Sequence, residues 1–279
     1  MRDCLPTLPE PSHAPRPRAG RAALTACVLG ALALLAAVAP AVAAEPLFAR
    51  CDTDSGSILL VLQPELAPHH VANFTHLARK GYYDGSYFHR VIPGFMIQGG
   101  DPNTRNAERG DDGMGGPTWA DVLTKEDLAV VDAARPLRGA GADTSAASRQ
   151  KVAAADKLLA KKGYVWLRPE SAFLKAEFSP TARHVRGTLS MARTNNPDTA
   201  GSQFFICVDD ASYLDKQYTI FGRVVNGLPI VDRIVNAECG APSSPVRPCH
   251  IRKMTIVTGT AGLTAVEQAA WAEAGKAGG

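Results

Sequence analysis

Short apolar runs broken by turn residues constrain this chain more than any other feature. Leu47 to Thr53 and Ser57 to Leu62 are strand-like, and Asp54-Ser55-Gly56 between them reads as a hairpin turn. Tyr87 to Ile92 and Phe95 to Gly99 are two more short strands, bent apart at Pro93-Gly94. Further runs follow at Gly187 to Arg193, Gln203 to Val208, Tyr218 to Val225 and His250 to Val257. Two segments carry helical spacing instead. Pro68 opens one, with Val71, Phe74, Leu77 and Ala78 apolar and Gly81 as its stop. Gly227 to Ala237 is the other, with Ile230, Val231, Ile234 and Val235 on its apolar side. Many short strands with two helices argue for a β-type barrel or sandwich.

The chemistry concentrates in two of those runs. Phe88 to Asp101 sets one arginine, Arg90, among apolar and amide side chains, with no evident nucleophile and no metal-ligand spacing. Gly201-Ser202-Gln203-Phe204-Phe205-Ile206 repeats that mixture later in the chain. Residues two apart on a strand share a face, which groups Phe88, Arg90 and Ile92, and separately Gln203 and Phe205. An arginine in such a setting needs partners, because an unpaired buried charge is costly. Gln98 and Gln203 can accept from its guanidinium. A carboxylate partner at the surface serves the residue equally well.

The first 44 residues have a texture of their own. Arg16, Arg18 and Arg21 precede an apolar run, Ala22 to Ala39, and small residues follow at Ala41-Val42-Ala43-Ala44. Basic flank, apolar run and small-residue site make a secretory signal peptide, cleaved after Ala43 or Ala44. Left uncleaved, residues 22–39 would anchor the chain in an inner membrane, at the lower length limit for a span. Leu24-Thr25-Ala26-Cys27 has the form of a lipoprotein box, but Cys27 stands at the wrong end of the run. Of 30 basic and 27 acidic side chains, this segment holds four and two, so the remainder is near balance. Neither a nucleic-acid partner nor an anionic membrane surface follows from such a charge. The alanine- and arginine-rich composition points to a bacterial periplasm.

Four cysteines lie beyond that segment. Cys239 and Cys249 bracket a loop rich in proline and serine and are expected to form a disulfide in an exported protein. Cys51 and Cys207 stand in strand-like runs and read as small buried side chains. From about residue 117 to 168 the sequence turns rich in Ala, Lys, Asp and Arg. Thr124-Lys125-Glu126-Asp127 has capping-box form before a helix over Leu128 to Ala134, and Thr144 can cap a second helix over Ser145 to Lys162. These residues read as an inserted helical hairpin. Residues 259–279 read as an Ala/Gly-rich tail carrying little information. His69, His70 and His76 read as surface histidines, because His69 and His76 are about two helical turns apart. Gly110 to Gly116 lacks the Gly-Lys-Ser/Thr of a phosphate loop. Asn73-Phe74-Thr75 fits a glycosylation sequon but falls on a helix.

The motif from Phe88 to Asp101, with Leu189-Ser190-Met191-Ala192 and Gly201 to Ile206, resembles the two signatures of the cyclophilin peptidyl-prolyl isomerases. The resemblance runs from about Leu47 to Val257, apart from the insert, and implies a 45–258 domain. It implies a mainly β fold: a closed eight-stranded antiparallel barrel capped by two α-helices. It implies an isomerase that needs neither cofactor nor metal and acts as a monomer on proline-containing polypeptides. Arg90 would be the catalytic arginine, with Gln98 orienting it. Phe95, Met96, Phe205 and Leu214 would line the proline pocket, and Ala192, Arg193 and Gln203 the groove before the proline. Tyr213 stands where the family often has tryptophan, Tyr218 where it often has histidine, and Arg193 where many members have asparagine. The stretch from Asp101 to Arg186 is much longer than in the family, and its position implies an insert beside the substrate groove. Two other readings compete: a non-catalytic module that holds partners through the same pocket, and a docking role centred on the insert.

Overall fold

The structure is a computed structural model that describes residues 45–276, apart from 107, 140, 241 and 242. The signal-peptide and membrane-anchor readings fall on residues outside that range.

The chain begins with two strands, β1 (Leu47–Thr53) and β2 (Gly56–Leu62). Helix α1 (Pro68–Arg79) follows, then β3 (Arg90–Ile92) and β4 (Met96–Gly99). The insert supplies α2 (Trp119–Val122), α3 (Lys125–Ala134) and α4 (Ala146–Lys161). A two-strand pair, β5 (Tyr164–Val165) and β6 (Phe173–Leu174), closes it. The main sheet resumes with β7 (Thr188–Met191), β8 (Phe204–Cys207) and β9 (Ile220–Asn226). Helix α5 (Leu228–Val235), the small pair β10 (Cys239–Gly240) and β11 (Ser244–Pro245), strand β12 (Ile251–Thr258) and helix α6 (Ala265–Lys276) complete it.

Eight strands form one antiparallel sheet in the order β12-β1-β2-β9-β7-β8-β4-β3. The closed barrel expected from the resemblance is therefore corrected to a curled half-barrel with two edges. The physical reason lies in β3, which is three residues long and shares no ladder with β12. Its approach is tied to the other edge by an isolated Tyr87–His250 bridge and by single bonds such as Phe88 N–H to Cys249 O at 3.1 Å. The chain at 87–89 is thus not the strand that alternation suggested. Phe88 is buried in the core together with Val91, while Arg90 is exposed, so Phe88 and Arg90 do not share a face.

The concave side packs on α1 and α5. Phe74 of α1 meets the rings of Tyr83, Phe204 and Phe221 at 5.0, 5.7 and 5.3 Å. Val231, Ile234 and Val235 of α5 join the same core. The N-terminus of α1 is capped from far along the chain. Glu177 accepts from the backbone N–H of His69 and His70 and lies 2.6 Å from His70 Nδ1. His70 is fully buried, which corrects its reading as a surface histidine. Asn73 is buried too, bonded to Gly201 O and to the Tyr164 hydroxyl, so the sequon is closed to modification in the folded chain.

The tail is also corrected, because it contains α6. Trp271 stands edge-on to Phe48 at 5.0 Å and covers the convex face, beside Leu59, Val61, Val257 and Leu263. Thr264 and Glu267 cap the helix reciprocally, and Arg50 of β1 donates Nε and Nη2 to the Glu267 carboxylate at 2.7 and 2.6 Å. That guanidinium bond holds the Glu267 carboxyl down to about 2.

Cys51 and Cys207 are buried as expected, and burial pushes the Cys207 thiol up to about 12. Cys239 and Cys249 are free thiols, which corrects the expected disulfide. Their sulfurs turn to separate partners, Cys239 to Ala237 O and Cys249 to the Ser55 hydroxyl, each at 3.3 Å.

Candidate active site

Three adjacent strands build the site. Register places Arg90 of β3 opposite Gln98 of β4, and Gln98 opposite Phe205 of β8. Groups on neighbouring strands at one register are within side-chain reach. The result is a relay of amides. Arg90 Nη1 donates to Gln98 Oε1 at 3.3 Å, and Gln98 Nε2 donates to Gln203 Oε1 at 3.0 Å. Gln203 Nε2 then donates to the carbonyls of Gly113 and Gly115, at 2.9 and 2.8 Å. Each amide is oriented by the next, so Gln98 must present its oxygen to the guanidinium. Gln203 does not touch Arg90; it acts one residue further back. Among the described residues no carboxylate pairs with Arg90, and the residue lines the groove.

Asp101 anchors the loop over this relay. It is fully buried and accepts from the backbone N–H groups of Asn103 at 2.8 Å, of Gly113, and of Gly115 at 3.2 Å. Gly100, just before it, has φ +84°, and a Cβ there would lie 2.5 Å from Ser202 O. Only glycine fits a left-handed position at such close approach.

The apolar part of the site is a separate cluster on the same sheet. Met96, Phe205 and Leu214 are buried, with Phe95, Ala192 and Tyr218 packed against them. Phe95 lies 6.3 Å from Phe205 and 5.8 Å from Tyr213, and Tyr218 stands edge-on to Phe205 at 6.0 Å. Tyr213 is 63% exposed and forms a lip rather than a wall. Arg193 stacks its guanidinium 4.1 Å over the Tyr218 ring and donates Nη2 to Gln217 O at 2.8 Å. Arg90, Phe95, Met96, Gln98, Ala192, Arg193, Phe205, Tyr213, Leu214 and Tyr218 all line one cavity of about 1240 Å3. A guanidinium and an apolar cluster lining one cavity suit binding of an apolar group and polarisation beside it.

Residues 48–256 match the family model described as cyclophilin type peptidyl-prolyl cis-trans isomerase/CLD. The chain belongs to the cyclophilin family of peptidyl-prolyl cis-trans isomerases. A probable peptidyl-prolyl cis-trans isomerase of Brucella suis is 36% identical over 245 residues, covering 86% of this chain and 97% of that protein. Peptidyl-prolyl cis-trans isomerase-like 1 of Gibberella zeae is 30% identical over 207 residues, 74% of this chain and 92% of its own. Among solved structures, a Cryptosporidium parvum cyclophilin matches with a TM-score of 0.53 at 25% identity, covering 76% of this chain and 98% of its own. The same protein solved in the presence of the dipeptide Ala-Pro matches with a TM-score of 0.52 at 25% identity, over 75% and 98%.

Two features of this cyclophilin were not readable from its motifs. His184 is buried beneath the floor, stacked on Phe205 at 6.1 Å, with Nδ1 3.0 Å from Asp215 Oδ1 and Nε2 3.1 Å from the Ser190 hydroxyl. Burial holds its pKa below the ordinary range, against the pull of Asp215. A lone histidine gives no signal when its acid partner lies 31 residues on. The second concerns the insert, which the sequence placed beside the groove. Helices α2 to α4 line no part of the cavity. Helix α2 and strand β5 dock on α1, where the Tyr164 hydroxyl donates to Asn73 Oδ1 at 2.8 Å and Asp121 O lies 3.0 Å from His76 Nε2, and α3 and α4 pack on each other. Of the long stretch between the motifs, Arg109, Gly110, Asp112 and Gly113 reach the groove.

Proposed function

We propose that Arg90 catalyses rotation about X-Pro bonds by donating to the prolyl nitrogen as the bond twists. A peptide bond resists rotation by about 18–20 kcal/mol through resonance, and X-Pro bonds isomerise unaided over tens to hundreds of seconds. A gain of about 10⁴-fold needs roughly 5.5 kcal/mol of transition-state stabilisation. In the twisted state the nitrogen loses conjugation, becomes pyramidal and regains a lone pair. A donor aimed at that lone pair stabilises the twisted state more than either planar state, which is the condition for catalysis. The observation that carries this reading is the tether of Arg90: one amide oxygen holds it, and no carboxylate among the described residues competes for it.

The other roles follow from position. Phe95, Met96, Phe205, Leu214 and Tyr218 hold the prolyl ring and exclude water. Gln98 aims the guanidinium, and Gln203 aims Gln98. Ala192 and Arg193 line the approach for residues before the proline. Tyr213 caps the slot. The clients are exported polypeptides whose folding waits on proline isomerisation, met in a periplasm after the signal segment is removed; the enzyme acts as a monomer and without stable membrane association. Among the described residues no helix is long and apolar enough to cross a membrane.

The test is refolding of a protein whose slow phase is set by an X-Pro bond. The wild type shortens that phase in proportion to enzyme concentration, and Arg90→Ala does not. Equal acceleration by both would refute the arginine role. Fractionation of cells expressing the full chain tests the compartment: a mature protein starting at Ala44 or Glu45 in the periplasmic fraction supports it, and full-length protein in the membrane refutes it.

A further inference from the structure

Among the described residues, three arginines line the cavity, Arg90, Arg109 and Arg193, against one carboxylate, Asp112. That carboxylate is already engaged: Oδ1 is sealed from solvent, and Oδ2 accepts from the Tyr87 hydroxyl at 2.6 Å. The partners of the three arginines are neutral acceptors, Gln98 Oε1 for Arg90, Pro245 O for Arg109 and backbone carbonyls for Arg193. Arg50, Arg183 and Arg186, away from the cavity, each hold a carboxylate instead, at 2.6, 2.8 and 2.7 Å. The groove therefore keeps positive charge that the rest of the fold cancels.

Arg193 is the most firmly held of the three, and it is half-buried rather than sealed. Nε and Nη2 donate to Gln217 O at 3.1 and 2.8 Å, and Nη1 donates to Thr194 O at 2.8 Å and to Asn195 O at 3.4 Å. The Tyr218 ring lies under the guanidinium at 4.1 Å. A guanidinium has five N–H donors, so one on Nη2 is left over. Carbonyls and a ring face orient the charge without neutralising it. The loop that supplies Gln217 turns at Lys216, whose φ of +62° is a region few residues other than glycine adopt. Strain kept beside a groove points to a positional demand there. Lys216 is exposed and adds a second cation on that side. The acids of the flanking loops are committed elsewhere. Asp215 holds Arg183 and His184 at 2.8 and 3.0 Å, and Asp198 accepts from the Ala176 N–H at 2.9 Å. A fixed charge in a walled cleft attracts its opposite, because low-dielectric walls focus the field. Its orientation is pre-set, so a ligand loses little in ordering it.

We propose that Arg193 selects an acidic side chain, aspartate or glutamate, at one of the two residues that precede the proline in the substrate. The remaining Nη2 hydrogen donates to that carboxylate, and Lys216 adds attraction at longer range. The inference rests on the isomerase reading of the adjoining slot, in which Arg193 flanks the residues before the proline. It makes acidic segments ahead of proline the preferred substrates of this cyclophilin, with Arg193 as the specificity-determining residue.

The experiment uses eight-residue peptides around one X-Pro bond, with Glu, Gln or Lys at X or at the residue before it. The ratio of kcat/KM, Glu over Lys, is measured for the wild type, Arg193→Met, Arg193→Glu and Arg109→Gln, each first shown to melt cooperatively. A ratio taken on one preparation cancels any change in folded fraction or turnover. At the better of the two positions the wild type is expected to favour Glu about tenfold at low salt, through KM, with Gln between. The ratio falls to near one in Arg193→Met, inverts in Arg193→Glu and survives in Arg109→Gln. In the wild type it also shrinks toward one between about 10 mM and about 1 M salt, as screening shortens the reach of charge. A wild-type ratio near one at both positions overturns the proposal, as does a preference that salt leaves unchanged or that Arg193→Met retains. Should the Arg193 variants not fold, the salt series on the wild type and Arg109→Gln decide. Should the wild type isomerise none of the peptides, the isomerase reading fails. Calorimetric Kd values then judge the charge selection alone: a Glu advantage lost in Arg193→Met upholds it, and equal Kd values overturn it.

Discussion

The groove and the inserted helices solve different problems with different materials. The groove takes its side chains from three short neighbouring strands, so backbone ladders set the spacing of Arg90, Gln98 and Phe205. The insert is held by helix caps, ion pairs and a buried set of side chains that includes Trp119, Val122, Leu123, Val131 and Leu159. Thr124 and Ser145 cap α3 and α4, Lys162 pairs with Asp127 at 2.9 Å, and Arg135 pairs with Glu170. Trp119 is buried, donates Nε1 to Pro169 O at 2.9 Å and stands edge-on to Tyr164 at 6.0 Å. The difference teaches that precision for chemistry resides in the sheet, while the insert extends the core on the far side of α1. Activity and stability are therefore expected to separate by region.

The largest break to attempt is Trp119→Ala. Removing a fully buried indole costs about 3–5 kcal/mol, read as a lower denaturant midpoint. The kcat/KM of the molecules that remain folded is expected to stay within about twofold of wild type. A large loss of kcat/KM in folded protein would show that the insert reaches the groove after all. Glu267→Gln, on α6 and outside both regions, serves as a control. It weakens a charged pair with Arg50 and is expected to cost about 1.5–3 kcal/mol with no change in turnover. Its pH dependence has a definite sign. The folded carboxyl titrates near about 2, below the roughly 4.3 of an unfolded glutamate, so its contribution is complete above the unfolded value. The contribution disappears as pH falls through the folded one. Wild type minus Glu267→Gln stability should therefore shrink between those two values; a difference that grows on acidification contradicts the assignment.

Smaller effects sharpen the comparison. Gln98→Leu removes the acceptor that aims Arg90, and kcat is expected to fall about tenfold while melting moves little, a change of roughly 1.4 kcal/mol in the barrier. Arg135→Ala in the insert removes an exposed pair and is expected to cost about 1 kcal/mol or less, with no effect on kcat/KM. Thermal melts and peptide kinetics on the same preparations check both.

Much of this was legible in the sequence where local pattern decides structure. Alternation and turn residues located the sheet strands, and Pro68 and Gly81 bracketed α1. The paired helices of the insert followed from their caps, although Ser145 rather than Thr144 caps the second. Arg90, Gln98 and Phe205 met in one cavity because they sit at matched register on neighbouring strands, while Gln203, expected in the groove, lies behind Gln98 and does not line it. What failed was nonlocal. Phe88 left the face of Arg90 because the chain is irregular before β3. Helix α6 has an alanine-rich sequence with a weak apolar stripe, and its Thr264-Ala265-Val266-Glu267 box was the signal available. The insert turned away from the groove because Tyr164 finds Asn73, a contact spanning 91 residues. His70 and His184 are buried by acids, Glu177 and Asp215, that are distant in sequence.

The central claim is that a single guanidinium, held by an amide and sharing one cavity with an apolar cluster, performs the chemistry. Exchange spectroscopy on an Ala-Pro peptide, wild type against Arg90→Ala, tests it most directly. Arg90 is exposed and makes one weak side-chain bond, so the variant is expected to keep its melting temperature and its peptide affinity. Its catalysed cis–trans exchange rate is expected to fall about 10²–10³-fold, the cost of removing one preorganised donor. An exchange rate that survives Arg90→Ala within a few fold would contradict the account.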